Sequence, residues 1–374
     1  YWNGKFYMHF LSDPAEEHVP PSRTLMQVSE DGYNWSQPQI LFPEYDVPAG
    51  FKKAKYQPKP ELQYPDVYKQ KPLKAIMHQR VGWYVSKGGI LLATGNYGVA
   101  LDRKDDPNDG NGIGRVVREV KKDGSLGPIY FIYYNHGFNE KNTAYPNYKK
   151  ASKAVRAACE EILANPRYRM QWVEEADRGD KLIPLNNGYK AYCDYTLPDG
   201  RIASLWKHAL TSLSLDGGNT YTTTNRALGF VNSNAKIWGQ RLTDGSYATV
   251  YNPSEYRWPL GISLSGDGLE YKTLNLICGE VPPMRYGGNY KSRGPQYVRG
   301  IQEGNGIPKD SDMWVSYSMN KEDIWVAHVP VPVKTVATAH ADDDFAQYQK
   351  LGDLKTWNIY SPLMAPVSLR QEWL

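Results

Sequence analysis

"SLDGGNTY", residues 214–221, reads as a tight turn between two strands. Asp216 can bond its own backbone two residues on, and Gly217 and Gly218 accept the positive φ angles that hairpin turns require. The pattern recurs as "SEDGYNW" at 29–35 and "SGDGLEY" at 265–271. Ser-x-Asp-Gly followed by an aromatic residue, three times in one chain, points to a structural unit used repeatedly.

Working outward, short alternating runs bounded by Gly, Pro, Asn or Asp dominate the chain. "GKFYMHFL", "GGILLATGNYG", "PIYFIYYNHG", "SYATVYNPS" and "MWVSYSMN" read as strands. Asp216 and Asp267 each close a hairpin and lie 51 positions apart. That spacing suits a propeller blade of roughly 40–50 residues. One segment differs. From Asn147 to Ala164, Ala151, Val155, Ala158 and Ile162 fall on one helical face, with Pro166 just beyond. Residues 139–180 are read as a helical insertion within a single domain spanning 1–374. Setting it aside leaves about 330 residues, enough for six or seven blades of that length. The expectation is an all-β, seven-bladed propeller.

The totals bound the function. Lys and Arg number 44 against 40 Asp and Glu, a net +4 that argues against a dedicated nucleic-acid binder. No apolar run is long enough to span a membrane. The chain opens on Tyr1 without an apolar signal region and reads as processed or trimmed. Tyr (29) and Trp (11) outnumber Phe (8), a bias suited to sugar faces and also to sheets in general. Cys159, Cys193 and Cys278 show no metal-ligand spacing and read as buried thiols, with one disulfide possible. No cofactor or metal is predicted: "GNGIGR" at 110–115 lacks the dinucleotide spacing, and "HADDDF" at 340–345 reads as a solvated turn.

Chemistry is expected where strand ends converge on one rim of the propeller. Asn96 and Tyr97, Asn135 and His136, Trp206 with Lys207 and His208, Tyr251 and Asn252, and Ser318 with Asn320 all end apolar strands. Such a polar ring is either a site or simply strand ends meeting solvent. Tyr192, across a hairpin from His208, is a candidate acid or base. His78 and Arg80 alternate and can share a strand face. Arg285, Arg293 and Arg299 cluster in "MRYGGNYKSRGPQYVRG", a Gly-rich stretch suited to carboxylates or simply a solvated loop.

The three turns resemble the Asp-box of sialidase-type propellers, where the box closes an outer hairpin and is structural. The Arg-Ile-Pro motif of sialidases proper is not found, so this resemblance implies the fold without sialidase activity. More narrowly, "WNGKFYMHFLSDP", "EHVPPSRTLMQVSEDGYNWS", "KAIMHQRVGWYV" and "EDIWVAHVPVPV" resemble glycoside hydrolase family 145 and polysaccharide lyase family 25. The hydrolase resemblance implies exo-release of α-L-rhamnose from glucuronic acid in plant polysaccharides. His18 is then the catalytic base, with His9 second. The lyase resemblance implies β-elimination at a uronate using His136 and Tyr192. The lyase pattern has an Arg where His208 stands, leaving Lys207 to neutralise the carboxylate. A third reading is a propeller that binds uronate glycans without cleaving them. Substrate contacts are then expected from His78, Arg80, Asn96, Lys207, Tyr251, Asn252, Arg285 and Arg299. The resemblance also implies a monomer that is secreted, periplasmic or on the surface of a bacterium, with a uronic-acid polysaccharide as its partner.

Overall fold

In the computed structural model, the three Ser-x-Asp-Gly turns fold alike. Asp31 Oδ1 accepts from the Ser29 hydroxyl (3.0 Å) and from the backbone N–H of Tyr33 (2.9 Å) and Asn34 (2.8 Å). Asp216 does the same with Ser214, Asn219 and Thr220, and Asp267 with Ser265, Leu269 and Glu270. These bonds hold each carboxyl below the usual carboxylate range. The exposed turn thus satisfies its own backbone, and the strands on either side are free to pair.

The structure describes residues 1–51, 57, 59–62, 65–105, 107, 112–135, 137–172, 191–254, 256–334, 346–350 and 353, with backbone alone at 62, 65 and 78–81. Among them are five antiparallel sheets in chain order. The first is β1 (Phe6–Ser12), β2 (Arg23–Ser29) and β3 (Gln39–Phe42). After α1 (Pro65–Tyr68) comes the second: β4 (Ile76–Val85), β5 (Leu91–Gly98), β6 (Gly112–Val120) and β7 (Leu126–Tyr134). Helices α2 (Lys153–Ala164) and α3 (Pro166–Met170) follow. The third sheet is β8 (Cys193–Thr196), β9 (Ile202–Trp206), β10 (Leu210–Ser214) and β11 (Asn225–Arg226). The fourth is β12 (Trp238–Arg241), β13 (Tyr247–Tyr251), β14 (Leu260–Ser265) and β15 (Asn275–Cys278). The fifth is β16 (Pro295–Gly300), β17 (Met313–Met319) and β18 (Asp323–Val329).

The propeller therefore has five blades, which corrects the expected seven. Dividing the chain by a blade length counted its connections as blades. Among the described residues, 43–75, 135–172 and 279–294 carry short helices, turns and isolated bridges in place of further sheets. The three cysteines are buried free thiols. No helix among the described residues is long and apolar enough to cross a membrane.

Neighbouring sheets meet at their inner strands: β1 lies against β4, β8 against β12, and β12 against β16. The second and third sheets are bridged by the helices. Ser152 caps α2, accepting from Val155 N–H (3.3 Å), and Val155, Ala158, Cys159 and Ile162 bury one face. That face packs on Leu92, Val117 and Ile132 of the second sheet. Arg167 of α3 pairs with Asp194 of β8.

The first and last sheets close the ring around Trp314. Its indole packs on Phe6 (4.9 Å between centroids) and Tyr33 (5.3 Å), and lies parallel to the His328 imidazole at 4.2 Å. Tyr33 Oη and His328 Nδ1 are 2.6 Å apart, as are His328 Nε2 and Asp312 Oδ2. Gly32 sits over the indole with φ +80°, and a Cβ there would stand 2.4 Å from a ring carbon.

Gly32→Ala should therefore lower stability by about 2–3 kcal/mol, through overpacking added to backbone strain. Gly124→Ala, at φ +84° with nothing within 4 Å, is the control and should cost only about 1 kcal/mol. Urea unfolding of both variants checks the difference.

Candidate active site

Antiparallel order puts the Ser-x-Asp-Gly turns on one rim, with the loop between β16 and β17. The opposite rim gathers the loops after β1, β5 and β13, the connections before β12 and β16, and the turn after β17. Three observations single out this second rim.

The first is backbone strain. Ten non-glycine residues have positive φ among the described residues. Five of them belong to one contact network on this rim: His18 (71°), Tyr290 (56°), Tyr297 (60°), Asn320 (56°) and Lys321 (56°). Such conformations cost free energy for any residue with a Cβ and concentrate at functional sites. At Tyr297 the cause is local: the β16–β17 ladder slips between Gln296 and Arg299, and the tyrosine occupies the bulge.

The second is a buried ionic knot. Glu16 pairs with Arg103 and accepts from the backbone N–H of Asn289 (2.6 Å). Asn289 accepts from Lys104 and donates to the Arg103 carbonyl. Beside it, Glu17 accepts from Lys321 Nζ (2.6 Å), which also donates to the Tyr290 carbonyl (2.6 Å). Glu322 accepts from the N–H groups of Arg285 and Tyr286 and from Lys291. Burial alone would raise the Glu322 carboxyl, yet these donors bring it down to about 2. The 279–294 connection is thus fastened to the first, second and fifth sheets.

The third is a set of cations around Tyr297. Arg257 lies 4.9 Å from the ring centroid, Lys321 5.1 Å and Lys236 5.3 Å. Arg257 Nη1 also donates to the phenolic oxygen (2.7 Å) and to Gln296 (2.8 Å). Near Glu17, Asp13 is half-buried, its Oδ1 buried and without a partner among the described residues. Desolvation, helped by the Glu17 charge, raises the Asp13 carboxyl to about 8. It is therefore protonated at neutral pH.

The residues expected from the sequence fall in different places. His18 is on this rim, 5% exposed, with its ring 5.4 Å from that of Tyr290. His9 faces Trp83 at 4.5 Å, and desolvation lowers it to about 3. Tyr192 is fully buried, its hydroxyl 2.7 Å from that of Tyr221, and desolvation holds it well above the ordinary value. His208 is exposed and Lys207 half-buried at the end of β9. Tyr251 is buried against Ser263 (2.7 Å). Asn252 donates to the carbonyls of Pro259 (2.9 Å) and Pro295 (2.8 Å). Asn320, at the matching end of β17, receives Gly294 N–H and donates to Pro282. These strand-end asparagines hold backbone in place. Asn96 is buried opposite Arg115, with no partner for its amide among the described residues. Arg285 is paired with Glu322 and Asp323. Arg299 lies 5.9 Å from the Trp238 ring, apart from Arg285, with Nη1 buried and unpartnered among the described residues. His136 and the side chains of His78 and Arg80 lie outside the described residues.

Sequence reading therefore missed Asp13, Glu16, Glu17, Lys236, Arg257, Tyr290, Tyr297 and Lys321. Three quoted segments held four of them. "WNGKFYMHFLSDP" contains Asp13, and in "EHVPPSRTLMQVSEDGYNWS" the histidine drew attention while Glu17 beside it did not. In "MRYGGNYKSRGPQYVRG" the arginines drew it and the tyrosines did not. Two other features carry no site. Asp310, Asp312 and His328 are close enough to hold a cation, but their ligand atoms are engaged with Trp314, Val331, Tyr33 and one another. A hollow of about 390 Å³ beside Asp31 lies on the rim away from the strain and charge.

No curated protein matches this chain. A solved structure named "Sialidase" is 67% identical, with a TM-score of 0.85. The match covers 99% of this chain and 34% of that one, so the chain spans about a third of that relative's length. A protein of unknown function from Dyadobacter fermentans is 14% identical, with a TM-score of 0.45 over 87% of this chain and 90% of that one. Residues 1–189 match the family model described as BT_1020-like, N-terminal beta propeller. Five radial sheets together with this match establish that the chain belongs to the BT_1020-like N-terminal beta propeller family.

Proposed function

We propose that this propeller is a carbohydrate-active enzyme: a glycoside hydrolase that releases a carboxylate-bearing sugar from a glycan. The observation that carries this reading is the set of three cations, Lys236, Arg257 and Lys321, gathered on Tyr297. Arginine and lysine at such a place attract and orient a carboxylate. The 67%-identical relative supports the reading, since it is named a sialidase and sialic acids are sugar acids.

Two groups supply the chemistry. Asp13, protonated at neutral pH, gives its proton to the glycosidic oxygen as that bond breaks. Tyr297 attacks the anomeric carbon through its phenolic oxygen as the glycosidic bond breaks, its proton passing to solvent. Water, deprotonated by the now ionised Asp13, then displaces the tyrosine, which regains a proton from solvent, and the sugar acid is released. The cations lower the field that the substrate carboxylate would otherwise impose on the reacting centre. The rhamnose-capped glucuronate implied by the sequence resemblance also offers a carboxylate, one sugar from the end. With that substrate the base would be His18, which lies beside Tyr290 on the same rim.

The test is a panel of three substrates: aryl glycosides of N-acetylneuraminic acid and of glucuronic acid, and a rhamnosyl-glucuronate disaccharide. Release of a sugar acid is expected, and release of rhamnose instead would favour the second reading. Hydrolysis of none of them would end both. Asp13→Asn and Tyr297→Phe should each lower kcat/KM by about 10²–10⁴-fold. The rate should fall as pH rises through about 8, where Asp13 ionises. An Asp13→Asn enzyme that kept the wild-type rate would remove that residue from the mechanism.

Stability should carry the same signature. The folded-state value of Asp13 lies above its unfolded one, so the folded state is favoured at low pH. That advantage is lost as pH rises from about 4 toward 8. Glu322 is the reverse case: its contribution is complete above about 4 and is lost as pH falls toward about 2. Urea titrations across pH should show the first slope removed by Asp13→Asn and the second by Glu322→Gln.

A further inference from the structure

We infer that Tyr290 is an aromatic platform that holds the sugar next to the one released, so that the site grips a chain as well as its terminal residue. The inference rests on the proposed active site for its location and on separate observations for its content. Tyr290 is 46% exposed, on the same rim as Tyr297. A large apolar ring is usually turned inward, and here the backbone works against that. Tyr290 adopts φ +56°, a conformation that glycine takes without cost and tyrosine does not.

The strain is held from several directions. Lys321 Nζ donates to the Tyr290 carbonyl, Lys104 Nζ lies 4.5 Å from the ring centroid, and the His18 ring packs at 5.4 Å. The residue before it, Asn289, is locked into the Glu16–Arg103 knot. The ring is therefore fixed in place rather than left to swing, which lowers the entropy lost when a ligand stacks on it. Lys321 connects the platform to the proposed centre, since it also lies 5.1 Å from the Tyr297 ring. Tyr286, 63% exposed, and Tyr256, 42% exposed, stand on loops of the same rim.

The chemistry of the ligand follows from that surface. A pyranose has a C–H face that stacks on an aromatic ring and hydroxyls that remain in water. The cations on Tyr297 take the acidic sugar, and the Tyr290 ring takes the sugar to which it is joined. The ligand is then an acidic oligosaccharide or polysaccharide of at least two residues.

The decisive variant is Tyr290→Gly. Glycine relieves the positive φ, which offsets the loss of the ring's contacts with His18 and Lys104, so the folded protein should be about as stable as wild type. Binding to gum arabic and to sialyllactose, by affinity electrophoresis and calorimetry, should nevertheless weaken about tenfold for whichever of them wild type binds. Tyr290→Phe, which keeps the ring, should bind both saccharides as wild type does, whereas Tyr290→Leu, apolar but without a flat face, should bind as weakly as Tyr290→Gly. The inference is overturned if wild type binds neither saccharide, or if Tyr290→Gly binds like wild type. It is also overturned if chain binding falls only together with thermal stability. Tyr290-dependent binding without any hydrolysis would leave the platform standing and refute the catalytic reading alone.

Discussion

A ring of sheets has to be closed, and here one indole carries the aromatic packing between the first sheet and the last. Trp314 receives Gly32 on its face, Phe6 and Tyr33 at its edges, and His328 stacked against it. With three described strands each, the first and last sheets present less surface than the four-stranded sheets between them. Aromatic packing makes up part of what a fourth strand would supply. The same Ser-x-Asp-Gly turn that ends β2 thus has a second duty. Its glycine is both the residue that permits the turn and the only one small enough to let the indole approach. That contact joins the first and last sheets at one rim, as the Glu17–Lys321 pair does at the other.

The rim itself is built against local preference. His18, Tyr290, Tyr297, Asn320 and Lys321 all hold conformations that cost free energy in an unsupported loop. The surrounding ion pairs offset that cost. Glu16, Glu17 and Glu322 each tie together two or more chain segments. A rigid rim of this kind holds Asp13 out of solvent beside the Glu17 charge, which keeps its carboxyl protonated. Rigidity and unusual acidity are here two results of one set of contacts.

How much of this was legible in the sequence depended on range. The Ser-x-Asp-Gly turns were readable because every bond that defines them lies within six residues. The helix at 153–164 was readable because its buried face has its own period. Blade number was not, because it depends on how many residues the connections consume, and connections have no period. Tyr297 was hidden for a different reason. Its cations stand at positions 236, 257 and 321, on loops that only the closed ring brings together. The strand-end asparagines show the opposite error. Asn252 and Asn320 were marked as a polar ring facing ligand, and they do occupy matching places. Their amides, however, are spent on the backbone of the following connection. A recurring polar residue at a recurring place can serve the repeat itself.

The loop after β16 adds a brace across the ring. Asn305 accepts from Val85 N–H and donates to the Trp83 carbonyl in the second sheet, while Glu303 reaches Thr196 and Arg167 beside the third. In a five-membered ring, the second and third positions are the two that do not adjoin the fifth. A segment joining them to the fifth therefore runs across the hub on that side, as a strut that ties the last sheet to the two it cannot otherwise touch.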